Sequence, residues 1–541
     1  MITKRYVYFI LFCITCVYVG YRINVHTWET YYYTGCLESF IHAQDMKPPT
    51  MNLELPYEKL ICLHYTQHPV LYYLTYMICN YIFSLNDGLF IVQWINILSG
   101  ILACLICYHI CLMHCRSQML SVCMMLFIAF SDVYWYQCLS GEVYIQPFLF
   151  LVLSYCFLVK SDLSSDNKQS QNKKIVFASL AAGCAVPFHM FSGLFYIVIL
   201  YYLVEMKRIN QNFQLIAMTG ISMLIMLCFF CFSYVIPYYI LFQFDTITDW
   251  IHFVFLHTHN WGIWHVPLKF VLFETIWSFF VGTKHLFHAL VCGFSPIAVI
   301  SRILLFIIFS YAIWYFCFKD REKKIEKKLL LLWFLIYYVF ITINVPMVND
   351  YWCFILFPMV MFVVLVLQQN MRTNRLIYSL ALTVCFLMPI NFINDIYPKK
   401  MINQDDYFIM AKAGEIIKGK KHIVSIGSKH LLAETWYMHR KYQNKQFYYH
   451  APDLQYPGTK DFLTSFKDVI EQIDANNFLL ILDGTAKDVV RIKRSIQQMY
   501  MNCTLLFKIS KAYHNKAFKT SIGLNEKPLI ITVYGLQIQK R

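Results

Sequence analysis

His26-Thr27-Trp28-Glu29-Thr30-Tyr31-Tyr32-Tyr33 follows an apolar run over 6–21, and Ser140-Gly141-Glu142-Val143-Tyr144 separates a second run, 118–133, from a third, 143–159. Both acids stand at the edge of a hydrophobic segment rather than inside one. A carboxylate within hydrocarbon costs at least about 2.5 kcal/mol, so carboxylates placed where helices meet water predict chemistry at the membrane surface. Further apolar runs follow at 89–113, 175–205, 213–236, 266–318, 329–347, 350–368 and 376–393. Several approach the length of about 20 residues that a helix needs to cross about 30 Å of hydrocarbon, and 175–205 and 266–318 are long enough for two helices each.

Composition agrees with this reading. The chain of 541 residues is 58% hydrophobic and only 14% charged, outside the range of a soluble domain. Its net charge of +15 lies in short loops between apolar runs, which predicts membrane topology and no nucleic-acid partner. With basic loops on the cytoplasmic side, the inner loops are those at Lys4-Arg5, Arg116, Lys160 to Lys174, Lys207-Arg208, Lys319 to Lys328 and Arg372 to Arg375. That arrangement keeps the apolar run 69–85 on the outer side, as an interfacial or re-entrant helix within an outer loop over 22–88. A second outer loop covers 134–142. The first apolar run carries no small-residue cleavage site, so it reads as a retained helix.

From residue 394 the pattern changes to short β-like runs, Ile423-Val-Ser-Ile-Gly427, Phe478-Leu-Leu-Ile-Leu-Asp483 and Leu529-Ile-Ile-Thr-Val-Tyr534, separated by helix-like stretches. The expected organisation is therefore an α-helical polytopic membrane domain over 1–393, with about 11–13 transmembrane helices, and a small exported α/β domain over 394–541. The twenty cysteines are scattered singly, where a thiol acts as a small hydrophobe, and no Cys/His grid has zinc spacing.

The acids near the outer surface are Glu29, Glu38, Asp45, Glu54, Glu58, Asp132, Glu142, Asp245, Asp249 and Asp350. Glu29 and Glu142 are the best placed, each close to a helix end that can hold it in position. His64 and His68 precede Pro69-Val70-Leu71-Tyr72, and His189 sits in Pro187-Phe-His-Met-Phe-Ser-Gly193 within an apolar segment. Lys269 and Lys284, beside the third outer loop, are candidate partners for a lipid phosphate.

These motifs, in this order, resemble the GT-C class of membrane glycosyltransferases, in particular protein O-mannosyltransferases and aminoarabinose transferases. Trp28-Glu29-Thr30-Tyr31-Tyr32 is similar to the Asp-Glu-x-x-Tyr motif opening the first outer loop of that branch, with tryptophan in place of the first acid. His68-Pro69-Val70-Leu71-Tyr72 resembles a His-Pro-Pro-Leu-Tyr motif, and Trp135 to Tyr144 resembles the acid-bearing second outer loop of a related family. Val345-Pro-Met-Val-Asn-Asp350-Tyr351 carries an acid where relatives carry a base.

The resemblance implies an inverting transferase on the outer side of a bacterial inner membrane, with the N-terminus cytoplasmic and the C-terminal domain exported. A polyprenyl-phosphate sugar would be the donor, and a hydroxyl on a glycan, lipid or protein the acceptor. Glu29 and Glu142 would be catalytic. Trp28, Tyr31, Glu38, His64, His68, Tyr72, Tyr144, His189, Lys269, Lys284 and Asp350 would bind substrate. It implies no cofactor and no divalent metal in the transfer step. A glycan polymerase or ligase, a transporter or flippase of lipid-linked glycans, and a non-catalytic assembly factor are the alternative readings.

Overall fold

The computed structural model describes residues 4–23, 78, 88–162, 168–209, 214–236, 271–293, 295–320, 324–344, 349–370, 373–401, 423–426, 477–483, 490, 494, 501–513 and 529–540. Trp28, Glu29, Tyr31, Glu38, His64, His68, Tyr72 and Lys269 lie outside the described residues.

Among the described residues there are fourteen α-helices, numbered here in chain order. The first half comprises α1 (Lys4–Gly20), α2 (Gly88–Cys115), α3 (Gln118–Phe130), α4 (Asp132–Leu139), α5 (Ile145–Asp162), α6 (Lys168–Ala185) and α7 (Phe195–Ile209). The second half comprises α8 (Leu215–Phe230), α9 (Val271–Leu290), α10 (Pro296–Phe318), α11 (Ile325–Asn344), α12 (Cys353–Asn370), α13 (Thr373–Asn391) and α14 (Tyr397–Met401). Among the described residues six helical segments are long and apolar enough to cross a membrane, and a seventh is the bent pair α3 and α4. Only helices satisfy their own backbone in lipid, which is why apolar runs of this length fold this way.

The helices run between two faces. One gathers the lysine-rich connections: the Lys174 ammonium donates to Lys160 O at 3.0 Å, Lys328 lies 3.4 Å from Glu205, and Gln368 at the end of α12 donates to Cys115 O at 3.2 Å. The other gathers the segments with acids and aromatics. There the Tyr18 hydroxyl donates to Ala129 O at 2.6 Å, and Asn391 donates to Phe130 O and Leu290 O at 2.9 and 2.8 Å. Gln93 near the start of α2 donates to both Ile23 O (3.2 Å) and Leu139 O (2.8 Å). The chain therefore leaves α1 and enters α2 at the same face; the run 69–85, apart from residue 78, lies outside the described residues.

Both long apolar runs hold two helices. The run 175–205 breaks where Met190–Leu194 forms a 3-10 turn between α6 and α7, and the run 266–318 breaks at Val291 to Ser295 between α9 and α10. The run 118–133 also breaks: Ser131 ends α3, its amide donating to Phe127 O at 3.0 Å, and α4 departs at 65°.

A single apolar core threads the bundle, including Trp135, Trp333, Trp352, Tyr134 and Tyr155, all buried. Small residues allow helices to approach closely. Gly282 of α9 faces Thr342 of α11, and Gly100 of α2 faces Cys138 of α4. Away from the core, Phe9 and Phe12 of α1, Ile216 and Leu224 of α8, and Ile303 and Ile307 of α10 are exposed, the surface that hydrocarbon covers in a membrane.

The C-terminal part forms a four-stranded sheet in the order β1-β2-β4-β3, from β1 (Ile423–Ile426), β2 (Asn477–Asp483), β3 (Met501–Tyr513) and β4 (Leu529–Lys540). β1 and β2 are parallel, and β4 pairs antiparallel with β2 and β3. Three of the strands are those expected from the sequence. The fourth, β3, was not: its Met-Asn-Cys-Thr start lacks the dense apolar alternation of the others, and a register irregularity interrupts it between Leu505 and Phe507.

Candidate active site at the aromatic face

The segment 134–142, read from the sequence as the second outer loop, runs through α4 into the turn that carries Glu142. Asn96, fully buried on α2, donates from Nδ2 to Ser140 O at 2.8 Å and to Glu142 O at 2.7 Å, while its Oδ1 accepts from Gln146 Nε2. One side chain thus ties both ends of the turn that carries Glu142. The Glu142 amide donates to Ser140 Oγ at 3.2 Å, which closes the turn. Glu142 is 2% exposed, so its carboxylate is held within the protein and not in a solvated loop.

Asp350 comes to the same place from the other half of the chain. It lies in the short 3-10 turn Asn349–Trp352 ahead of α12, and its Oδ1 accepts from Gln137 Nε2 on α4. Gln137 also offers its backbone O to Asn96 Nδ2 at 3.4 Å, the same amide that holds Glu142 O, and Tyr144 meets Tyr351. Two carboxylates 208 residues apart in number are therefore tied to one hydrogen-bonded frame.

Rings form the wall beside them. Tyr144 packs against His189 at 5.3 Å between centroids and against Tyr351 at 5.3 Å, edge to face. His189 meets Tyr351 at 5.5 Å and Phe191 at 4.9 Å. His189 Nδ1 accepts from Phe191 N at 3.3 Å and so caps the 3-10 turn that separates α6 from α7. Proline at 187 and this cap explain why a histidine occurs in an apolar run: the run ends there. Such edge-to-face ring pairs contribute roughly 0.5–1.5 kcal/mol each beyond area burial and fix the wall's shape.

Of the residues singled out from sequence, Glu142, Tyr144, His189 and Asp350 are brought together. Lys284 is not among them; it is exposed on α9, one turn before His288. The supporting residues Asn96, Gln137, Gln146 and Tyr351 were missed. Amides inside the long apolar helix α2 were the available signal, because a buried amide in lipid must find partners.

A second polar group stands on the same face. Lys399 lies 2.7 Å from Asp395 Oδ1 and 3.8 Å above the Tyr136 ring, and Asp132, His288 and Cys292 converge beside them, all buried. Arg302, early in α10, turns back to donate to Gly293 O.

No protein-family model and no curated protein matches the sequence. Among solved structures, the chain superposes on ArnT from Cupriavidus metallidurans bound to undecaprenyl phosphate with a TM-score of 0.59 and 9% identity, over 99% of this chain and 98% of that one. The apo state of the same protein gives 0.57 and 11% identity, over 97% and 96% of the two chains. The apo oligosaccharyltransferase of Archaeoglobus fulgidus gives 0.50 and 15%, over 88% of this chain and 70% of that one. At these identities the likeness is one of fold, and its reach over nearly all of ArnT includes the C-terminal sheet as well as the bundle. The chain has the GT-C fold of polytopic membrane proteins, the class its loop motifs resemble.

Proposed function

We propose that this chain is a membrane glycosyltransferase that moves a hexosyl or pentosyl group, with inversion, from a polyprenyl-phosphate carrier to an acceptor hydroxyl at the outer face. The observation that carries the reading is the joint site of Glu142 and Asp350, walled by Tyr144, His189 and Tyr351, at one end of a GT-C bundle. Undecaprenyl phosphate is bound in the ArnT structure that shares this fold, which favours the same class of carrier here.

The positive-inside rule turns the lysine-rich face to the cytoplasm and the aromatic face outward. On this reading the protein is a multi-pass protein of a bacterial inner membrane, with its C-terminal domain exported. Glu29, in the first outer loop, takes the proton from the acceptor hydroxyl as the oxygen attacks the anomeric carbon. Polyprenyl phosphate leaves with its charge met by Lys284, Lys269 or His68. Glu142 orients the acceptor or raises the basicity of Glu29 through like-charge proximity. The rings of Tyr144 and Tyr351 offer a sugar an apolar face beside carboxylate acceptors for its hydroxyls. The acceptor is a glycan, a lipid or a protein, and the transfer step uses no divalent metal.

Release of free polyprenyl phosphate from a panel of polyprenyl-phosphate sugars tests the proposal. Turnover of one donor should fall about 100-fold or more in Glu29→Gln, the magnitude of general-base catalysis. No release from any donor, with or without cell-envelope acceptor extract, would move the weight to a transporter or non-catalytic role.

A further inference from the structure

Asp132, His288 and Cys292 come from the α3–α4 bend, the last turn of α9 and the connection to α10. One ligand atom from each, a carboxylate oxygen, an imidazole nitrogen and the thiol sulfur, lies within 4.8 Å of both others, and all three residues are buried. Tetrahedral ligation at bond lengths of about 2.0–2.3 Å would bring such atoms to roughly 3.3–3.8 Å apart, a contraction of about 1 Å or more from the 4.8 Å limit.

Two further observations point the same way. Asp132 is 4% exposed, and its Oδ1 has no hydrogen-bond partner among the described residues. Buried carboxylate oxygens are otherwise almost always partnered, so this one calls for a ligand. The backbone of Cys292 is also pinned on both sides. Its amide donates to Asn391 Oδ1 at 2.8 Å, and its carbonyl accepts from Asn394 Nδ2 at 3.2 Å. The next residue, Gly293, has φ +97, a left-handed conformation that glycine adopts without strain. The two asparagines thus fix the backbone from which the Cys292 thiol projects.

We infer that Asp132, His288 and Cys292 form a binding site for one zinc-class divalent cation, which fastens the start of α4 to α9. Thiolate, imidazole and carboxylate together favour zinc over magnesium or calcium, which take oxygen ligands. Water completes the fourth position. Binding displaces the Cys292 thiol proton, and the ion's two charges are met by the thiolate and the Asp132 carboxylate. The site stands apart from the proposed transfer step: Asp132 and Gln137, which holds Asp350, are five residues apart on α4, about 7.5 Å along the axis. The cation acts as a positioning element for that helix.

Zinc content of the full chain, purified in detergent without chelators and dialysed against micromolar zinc, tests this directly. About one zinc per chain is expected, falling at least tenfold in Cys292→Ser and in Asp132→Asn. It should be unchanged in Cys111→Ser, which removes one of the close thiol pair Cys111 and Cys115 at the opposite face. Cobalt in place of zinc should give a thiolate charge-transfer band that Cys292→Ser abolishes and Cys111→Ser retains. Should the variants aggregate, alkylation of the unaltered protein decides, read peptide by peptide: zinc must slow modification of Cys292 at least tenfold and leave Cys353 unaffected. Absence of zinc from the wild type, equal zinc in Cys292→Ser, or alkylation of Cys292 indifferent to zinc overturns the inference.

Discussion

Asn96 shows how much of a membrane-embedded site can rest on one amide. It has two donors and one acceptor, and all are used: Ser140 O, Glu142 O and the Gln146 side chain. Leucine at 96 would leave two carbonyls and an amide buried without partners, at about 1–3 kcal/mol for each group left unmade. Asn96→Leu should therefore lower the thermal transition, read by a thiol-reactive dye on the many buried free cysteines, and should lower transfer more than a substitution of equal thermal effect elsewhere. Asp350→Asn separates charge from geometry. Asparagine keeps the oxygen that accepts from Gln137, so the fold should hold while the turnover number changes; an unchanged turnover number would remove Asp350 from the site.

At the scale of helices, the contact of α2 with α4 is set by Gly100. A methyl group there would run into the Cys138 sulfur, whereas the Cys138 Cβ is 3.5 Å away, an ordinary contact. Gly100→Ala should destabilise by about 1–3 kcal/mol through overpacking, and Cys138→Ala in the same chain should restore most of the loss. On the lysine-rich face, Lys327 of α11 pairs with Asp320, both side chains at least 96% buried. Breaking a buried pair costs about 3–5 kcal/mol, because the remaining carboxylate loses its close counter-charge. Lys327→Met should melt well below wild type, and Asp320→Asn with Lys327→Met should recover most of the difference. Elements of this kind were unevenly legible from sequence. Apolar length located the helices, and proline and glycine marked the break at His189, but the bend at Ser131 has no such residue. There Ser131 closes α3, and beyond the bend Gln137 reaches across to Asp350.

For the molecule as a whole, the distribution of lysine and arginine sorts the loops between two faces, and among the described residues Lys160 with Lys174, Glu205 with Lys328, and Cys115 with Gln368 gather on one of them. The site was legible only in part. Glu142, Tyr144, His189 and Asp350 stood out by residue type, yet their meeting depends on pairing across more than 200 positions, which no local pattern encodes. The strand β3 was missed for a related reason, since the partner strand β4 along its whole length stabilises it more than its own residue preferences do. Topology can be tested on the whole chain. A periplasm-dependent reporter fused after Arg541 should be active, and one placed between Lys319 and Lys328 should be inactive; the reverse pattern would invert the proposed orientation. Removal of the C-terminal domain should leave donor hydrolysis intact if that domain serves acceptor docking or covers the outer face.

Gln93 holds Ile23 on one side and Leu139 on the other, and Tyr18 rests on Ala129 and Trp135. During synthesis α1 emerges before all of these: Gln93 follows Ile23 by 70 residues, and Ala129 and Trp135 follow Tyr18 by more than a hundred. The opening helix must wait in the bilayer, or at the insertion machinery, until α3 and α4 arrive. A ribosome pausing before residue 129 would leave Tyr18 without Ala129 and Trp135, so the packing of the acid-bearing face is among the later things the cell completes.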